Sequence, residues 1–252
     1  MQVASRPRAF IRVTGPDAED FLQRMLSNDV SGEVCEALLL TPKARVIAPL
    51  VVWRRRADDF LLLTEPELGE VVRSALLRAR FAAKCAIELE THSSVVVFGE
   101  AEGIPNTEYG EPAVEVLDAG LEPTIDEEEL ELRRIRAGTP RWGREIDDRV
   151  LPAEAGLTER AVSFAKGCYP GQEPVARLHY RGHANRSLRV LRVPTAEPPS
   201  YDTKLLYEGR AVGRVTSAVR DPAGGVVALG YVRVEVPSDA ELTVGAAAAR
   251  LL

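Results

Sequence analysis

The last quarter of the chain sets the tightest limit on its fold. After Arg186 it reads "SLRVLRV", "TKLLYEG", "RAVGRVTSAV", "GGVVALGYVRVEV" and "AELTVG", short Val- and Leu-rich segments broken by Gly, Pro and Asp. Evenly spaced strand-forming runs between turn formers specify a small antiparallel barrel or sandwich. The texture before residues 183 to 188 differs, so the chain divides into 1–185 and 186–252. A length of 252 residues is enough for two such units.

The larger part mixes helices and strands. "AFIRVTG" reads as a strand and "GPDAEDFLQRMLSNDV" as a helix, with Pro16 at its start and Asp17, Glu19 and Asp20 at the positive end of its dipole. Ala18, Phe21, Leu22, Met25 and Leu26 share one face. "ALLLTPKARVIAPLVVWRRR" and "DDFLLLTE" read as strands, "EPELGEVVRSALLRARF" as a helix, and "IELETHSSVVVFGE" as one or two further strands. In "DEEELELRRIRAG", Asp126 is placed to cap a helix that Gly138 ends. The fold class is therefore α+β with a C-terminal β-barrel.

The formal net charge of −6 opposes indiscriminate nucleic-acid binding, which needs a broad basic surface. No segment is long and apolar enough for a signal peptide or a membrane span. The three cysteines, Cys35, Cys85 and Cys168, are far apart and form no CxxC, which suits a reducing compartment. These features lead to the expectation of a cytoplasmic protein with no membrane partner and no strong nucleic-acid signal.

One cysteine stands apart. In "KGCYPGQEPVARLHYRGH", Cys168 lies between Gly167 and Gly171, two residues after Lys166, and next to Tyr169, with Gln172 and Glu173 following. A thiol reacts as thiolate, and a nearby cation such as Lys166 favours that form. The plain alternative is a buried structural cysteine. His179 or His183 would serve a Cys–His nucleophilic pair. A zinc site from Cys168, His179 and His183 is weaker, because Gly182 and the strand-like surroundings oppose the helix that His-x3-His wants and no fourth ligand is evident. No metal site is assigned.

The octamer "KGCYPGQE" resembles the K-G-C-[FY]-x-G-Q-E signature of the YgfZ family, folate-binding-type proteins that support iron–sulfur cluster assembly or repair, to which the mitochondrial Iba57 proteins are related. "VTGPDAEDFLQRMLSNDV", "LLLTPKARVIAPLVVWR", "LRRIRAGTPRWGREIDDRVLPAE", "AVGRVTSAV" and "VALGYVR" resemble further segments of that family, so the likeness covers nearly the whole chain. Pro170 stands where Thr is common, and Ala44 where Gly is common.

The resemblance implies α+β units around a central hole that binds tetrahydrofolate or a derivative, with the cysteine loop beside it. It implies Fe–S enzymes or assembly proteins as partners, Cys168 as the reactive centre, Lys166 favouring its thiolate, and Gly167 and Gly171 shaping the turn. Arg177 and Arg181 are placed to receive an anionic group such as a folate glutamate tail. The same fold serves the glycine-cleavage T-protein, an aminomethyltransferase, which makes that activity the rival expectation. Its carboxylate pair is matched here by Ala48 and Pro49, which cannot place a proton, and its pterin-binding glutamate by Arg136, which has donors only. A docking turn with an inert Cys168 is the third possibility.

Overall fold

The computed structural model describes residues 1–252. A five-stranded antiparallel sheet of order β3-β4-β5-β2-β6 is its centre: β2 (Ala9–Thr14), β3 (Val34–Leu40), β4 (Val46–Arg56), β5 (Asp59–Thr64) and β6 (Ala86–Glu90). Alternating residues of these strands face α1 (Ala18–Met25) and α2 (Gly69–Ala79), and Ile11, Val13, Phe60 and Leu62 meet Phe21, Leu22, Val72 and Leu76 in the largest core. The expected first helix starts two residues late: Pro16 and Asp17 form a turn, and the Asp17 carboxylate accepts from the Lys84 amide at 2.7 Å instead of capping its own helix.

The other face of this sheet carries Phe10, Leu61 and Leu63, which pack on Ile104 of a second, four-stranded sheet. That sheet has the order β1-β7-β9-β8, from β1 (Gln2–Ser5), β7 (Ser94–Phe98), β8 (Ile104–Asn106) and β9 (Ala113–Leu117). Helix α3 (Glu127–Arg136) follows, and the Asp126 side chain accepts from the Glu129 amide at 2.8 Å, as its sequence predicts.

Two short helices, α4 (Thr158–Ala161) and α5 (Gln172–Arg181), precede the closed six-stranded barrel β10-β13-β12-β11-β14-β15. Its strands are β10 (Arg186–Val193), β11 (Lys204–Tyr207), β12 (Arg210–Arg220), β13 (Val226–Arg233), β14 (Glu241–Val244) and β15 (Ala247–Leu251). At Gly213 a Cβ would lie 2.0 Å from the Tyr231 carbonyl oxygen, so the strands of the G-x-V-T-S and A-L-G-Y segments meet only across a glycine. A buried polar joint seats the barrel on the rest. Arg134 donates to Glu145 at 3.1 Å and to Ser217 at 2.9 Å, Ser217 donates to Glu145 at 2.6 Å, and the Tyr231 hydroxyl donates to the Glu145 carbonyl at 2.8 Å. Each member is satisfied, as buried polar groups must be. No helix is long and apolar enough to cross a membrane.

Candidate functional site

Cys168 is exposed, whereas Cys35 is half-buried and Cys85 buried. Its loop is fixed at both ends. On one side Lys166 donates its ammonium to the carbonyls of Leu26 at 2.8 Å and Asn28 at 2.7 Å, just after α1. Burial draws the Lys166 pKa down to about 8, and the charges that act on it are those of Asp29 and Cys35. Through these two bonds the lysine clamps the loop to the α1 corner.

On the other side Gly171 has φ +85°, and a Cβ there would lie 2.6 Å from the Thr41 carbonyl oxygen and 3.1 Å from the Ala44 Cα. Only glycine takes both the angle and the approach without strain. Ala44 itself has φ +59°, which accounts for the glycine common at that position in the resembled segment. Gly167 differs. It has no positive φ, and a Cβ there would meet nothing within 4 Å, so its expected part in shaping the turn falls away. Tyr169 is buried among Leu38, Leu40, Ala44 and Val175, and anchors the loop from beneath.

Gln172 and Glu173 do not flank the thiol as loop residues. They open α5, whose ten residues end at Arg181. The expectation that Gly182 opposes a helix here is overturned, because Gly182 lies just past its end, and Gly171 in the left-handed region and Pro174 in the first turn give it a clean start. His179 stacks on Phe164 at 4.1 Å between centroids, and His183 lies beyond the helix. No three His, Cys, Asp or Glu side chains converge on a metal-sized site. Arg177 and Arg181 face outward over a shallow groove with Glu173 and Tyr180.

The cavity of the fold lies elsewhere. About 550 Å³ of space opens between β3, β4 and β5 on one side and β8 on the other, closed by the residues around α4. Cys168, Arg177 and Arg181 do not line it. Cys35 does line it. So does Pro49, at one of the two carboxylate positions of the rival enzyme, while Ala48 is fully buried in the helix-side core. Arg136 pairs with Asp221 at 2.7 Å, outside the cavity.

Charge at the cavity comes from residues that no local motif reveals. Arg160 makes a two-pronged pair with Glu36 at 2.6 and 2.7 Å. Deeper in, Arg8 donates to Glu108 at 2.8 Å and to Glu115 at 3.0 Å, and Arg6 donates to Glu65 at 2.7 Å and Glu108 at 3.0 Å. Burial works against the Glu108 charge, yet Arg8 and Arg6 hold its carboxyl well below the usual range. The cavity thus sets ion-paired arginines and glutamates beside apolar residues such as Val34, Leu50 and Leu63.

These surroundings set an order of thiol reactivity. Burial pushes the Cys35 thiol up to about 11 and also raises that of Cys85. Timed iodoacetamide labelling with peptide mapping should modify Cys168 first, and Cys35 slower by about two orders of magnitude at neutral pH. Equal or faster labelling at Cys35 or Cys85 would refute the ranking.

No protein-family profile matches the chain. An uncharacterized protein of Haemophilus influenzae is 30% identical over 226 residues, which cover 83% of this chain and 81% of that one. The tRNA-modifying protein YgfZ of Escherichia coli is 27% identical, with coverage of 87% and 81%. The mitochondrial iron–sulfur cluster assembly factor IBA57 homolog of Pyricularia oryzae is 26% identical, with coverage of 95% and 73%. Among solved structures, the glycine cleavage system aminomethyltransferase T of Bartonella henselae superposes with a TM-score of 0.79 over 97% of this chain and 82% of that chain, at 20% identity. That likeness establishes the fold.

Proposed function

The chain belongs to the YgfZ family, and on that premise we propose that it maintains iron–sulfur enzymes, with Cys168 as the group that meets the client and a tetrahydrofolate derivative in the central cavity. The observation that carries this reading is the placement of Cys168. It is the one exposed thiol of the protein, held out on a loop pinned by Lys166 and Gly171. The thiol there gives up its proton to water, and the thiolate ligates the soft iron of a cluster delivered by or to a partner. Its exposure leaves it open to a macromolecule.

The cavity supports the folate half of the proposal. Its volume is that of a small-molecule site, and Arg160, Glu36, Asn106 and Thr139 on its walls supply hydrogen-bonding groups for a heterocycle. Aminomethyl transfer is the weaker reading. Proton placement at the folate amine needs a carboxylate, and Pro49 occupies that stretch of wall.

Calorimetric titration with 5-formyltetrahydrofolate tests the cavity, and one-to-one binding weakened by Arg160→Ala is the expected result. Absence of heat and of competition at millimolar ligand would refute it. In single-turnover assays with an aminomethyl-lipoyl carrier, no methylenetetrahydrofolate should form above the no-enzyme rate. Robust formation would restore the transferase reading.

A further inference from the structure

Cys168 does not line the cavity, yet a two-residue corner after α1 is bonded both to residues of the cavity wall and to the thiol loop. The Asn28 amide donates to the Glu36 carbonyl at 2.8 Å and to the Arg160 carbonyl at 3.3 Å. The side chains of those same two residues form the ion pair on the cavity wall. The carbonyl of Asn28 accepts the Lys166 ammonium, two residues from Cys168. Its neighbour Ser27 repeats the pattern. The Ser27 hydroxyl donates to the Ala161 carbonyl at 2.6 Å and accepts from the Leu38 amide at 2.8 Å, and its carbonyl accepts from the Ser163 amide at 2.9 Å. Strand β3, helix α4 and the thiol loop therefore share one bracket.

We propose that Asn28 is a positioning residue that couples occupancy of the central cavity to the geometry of the Cys168 loop. A ligand that engages Arg160 or Glu36 disturbs their ion pair and moves the two carbonyls on which the Asn28 amide is fixed. Besides these two bonds the Asn28 side chain only accepts from the neighbouring Asp29 amide, at 2.9 Å, so its backbone follows. Its carbonyl carries the displacement to Lys166, whose half-buried ammonium donates to the Leu26 and Asn28 carbonyls. Coupling of this kind is reciprocal: a ligand that changes the loop is itself bound differently when the loop is changed. The inference rests on the reading above for the identity of the working thiol, and not for the coupling itself.

A double-mutant cycle in the full chain decides it. Hydrogen exchange of residues 163–171 and the iodoacetamide rate of Cys168 are measured for wild type, Arg160→Ala, Asn28→Asp and the double variant. Asn28→Asp keeps the side-chain shape and removes both amide donors. Arg160→Ala should change loop exchange by about fivefold or more in the wild-type background and by less than about twofold in the Asn28→Asp background. The same factor in both backgrounds would overturn the proposal, since a merely structural asparagine shifts exchange in β3 and α4 without erasing the response of the loop. If Asn28→Asp does not fold, Asn28→Ser completes the cycle with the same two outcomes. Saturating 5-formyltetrahydrofolate should slow loop exchange in wild type and not in Asn28→Asp. Binding without any change in the loop would sink the coupling, whereas absence of binding would sink the folate reading and leave the cycle to judge Asn28.

Discussion

Cys168→Ser is expected to yield a soluble, folded protein that restores no Fe–S enzyme activity in cells lacking their own copy. The side chain is exposed and contributes to no hydrophobic core, so replacing sulfur by a slightly smaller oxygen leaves the packing of the loop unchanged. The chemistry changes completely. A serine hydroxyl stays protonated at neutral pH and is a poor ligand for soft iron. Activities of cluster-dependent enzymes should therefore fall to the level of cells with no copy, at unchanged amounts of the variant protein. Full rescue by Cys168→Ser would show that the thiol is dispensable, and the loop would then be a docking turn.

The second large effect separates the two glycines of the signature. Gly171→Ala places a methyl 2.6 Å from the Thr41 carbonyl oxygen in a backbone with φ +85°. Left-handed backbone costs a non-glycine residue about 1–2 kcal/mol, and forcing an atom into a packed contact adds about 1–3 kcal/mol. A loss of roughly 3 kcal/mol is a large share of the 5–15 kcal/mol that folds a typical domain. It should lower the melting temperature by about 6–12 °C. Gly167→Ala meets nothing within 4 Å and should stay within about 0.5 kcal/mol of wild type. Calorimetric melts of the two variants check the contrast, and equal melting temperatures would refute it.

Features that rest on neighbours in the chain were legible in the sequence. The cap at Asp126, the end of α3 near Gly138 and the strands β10 to β14 follow from side chains within a few residues of the element they define. Features imposed from a distance were not. Strand β15 reads AAARL, three alanines in five residues with no β-branched or aromatic side chain, and its extended form comes from pairing with β14 and β10. Helix α5 was hidden by its arginines and by Gly182, and it is held in place by Val175 in a core shared with Tyr231 of the barrel. The thiol loop could be found from "KGCYPGQE", but the direction of Lys166 could not, because its acceptors lie about 140 residues earlier. The same holds for the cavity, where Glu36 meets Arg160 and Arg8 meets Glu108 across the width of the fold.

The closure of the barrel has a kinetic side. Leu191 of β10 pairs with Leu251 of β15, so the ring is shut by pairing the first of its strands with the last. Until β15 docks, β10 to β14 form an open ribbon with two exposed edges. Loop-closure entropy must be met before such distant contacts reward it, so this step is the slow one. During that interval the unpaired edges of β10 and β14 are templates for other strands, and the chain is most vulnerable to misassembly before β15 pairs.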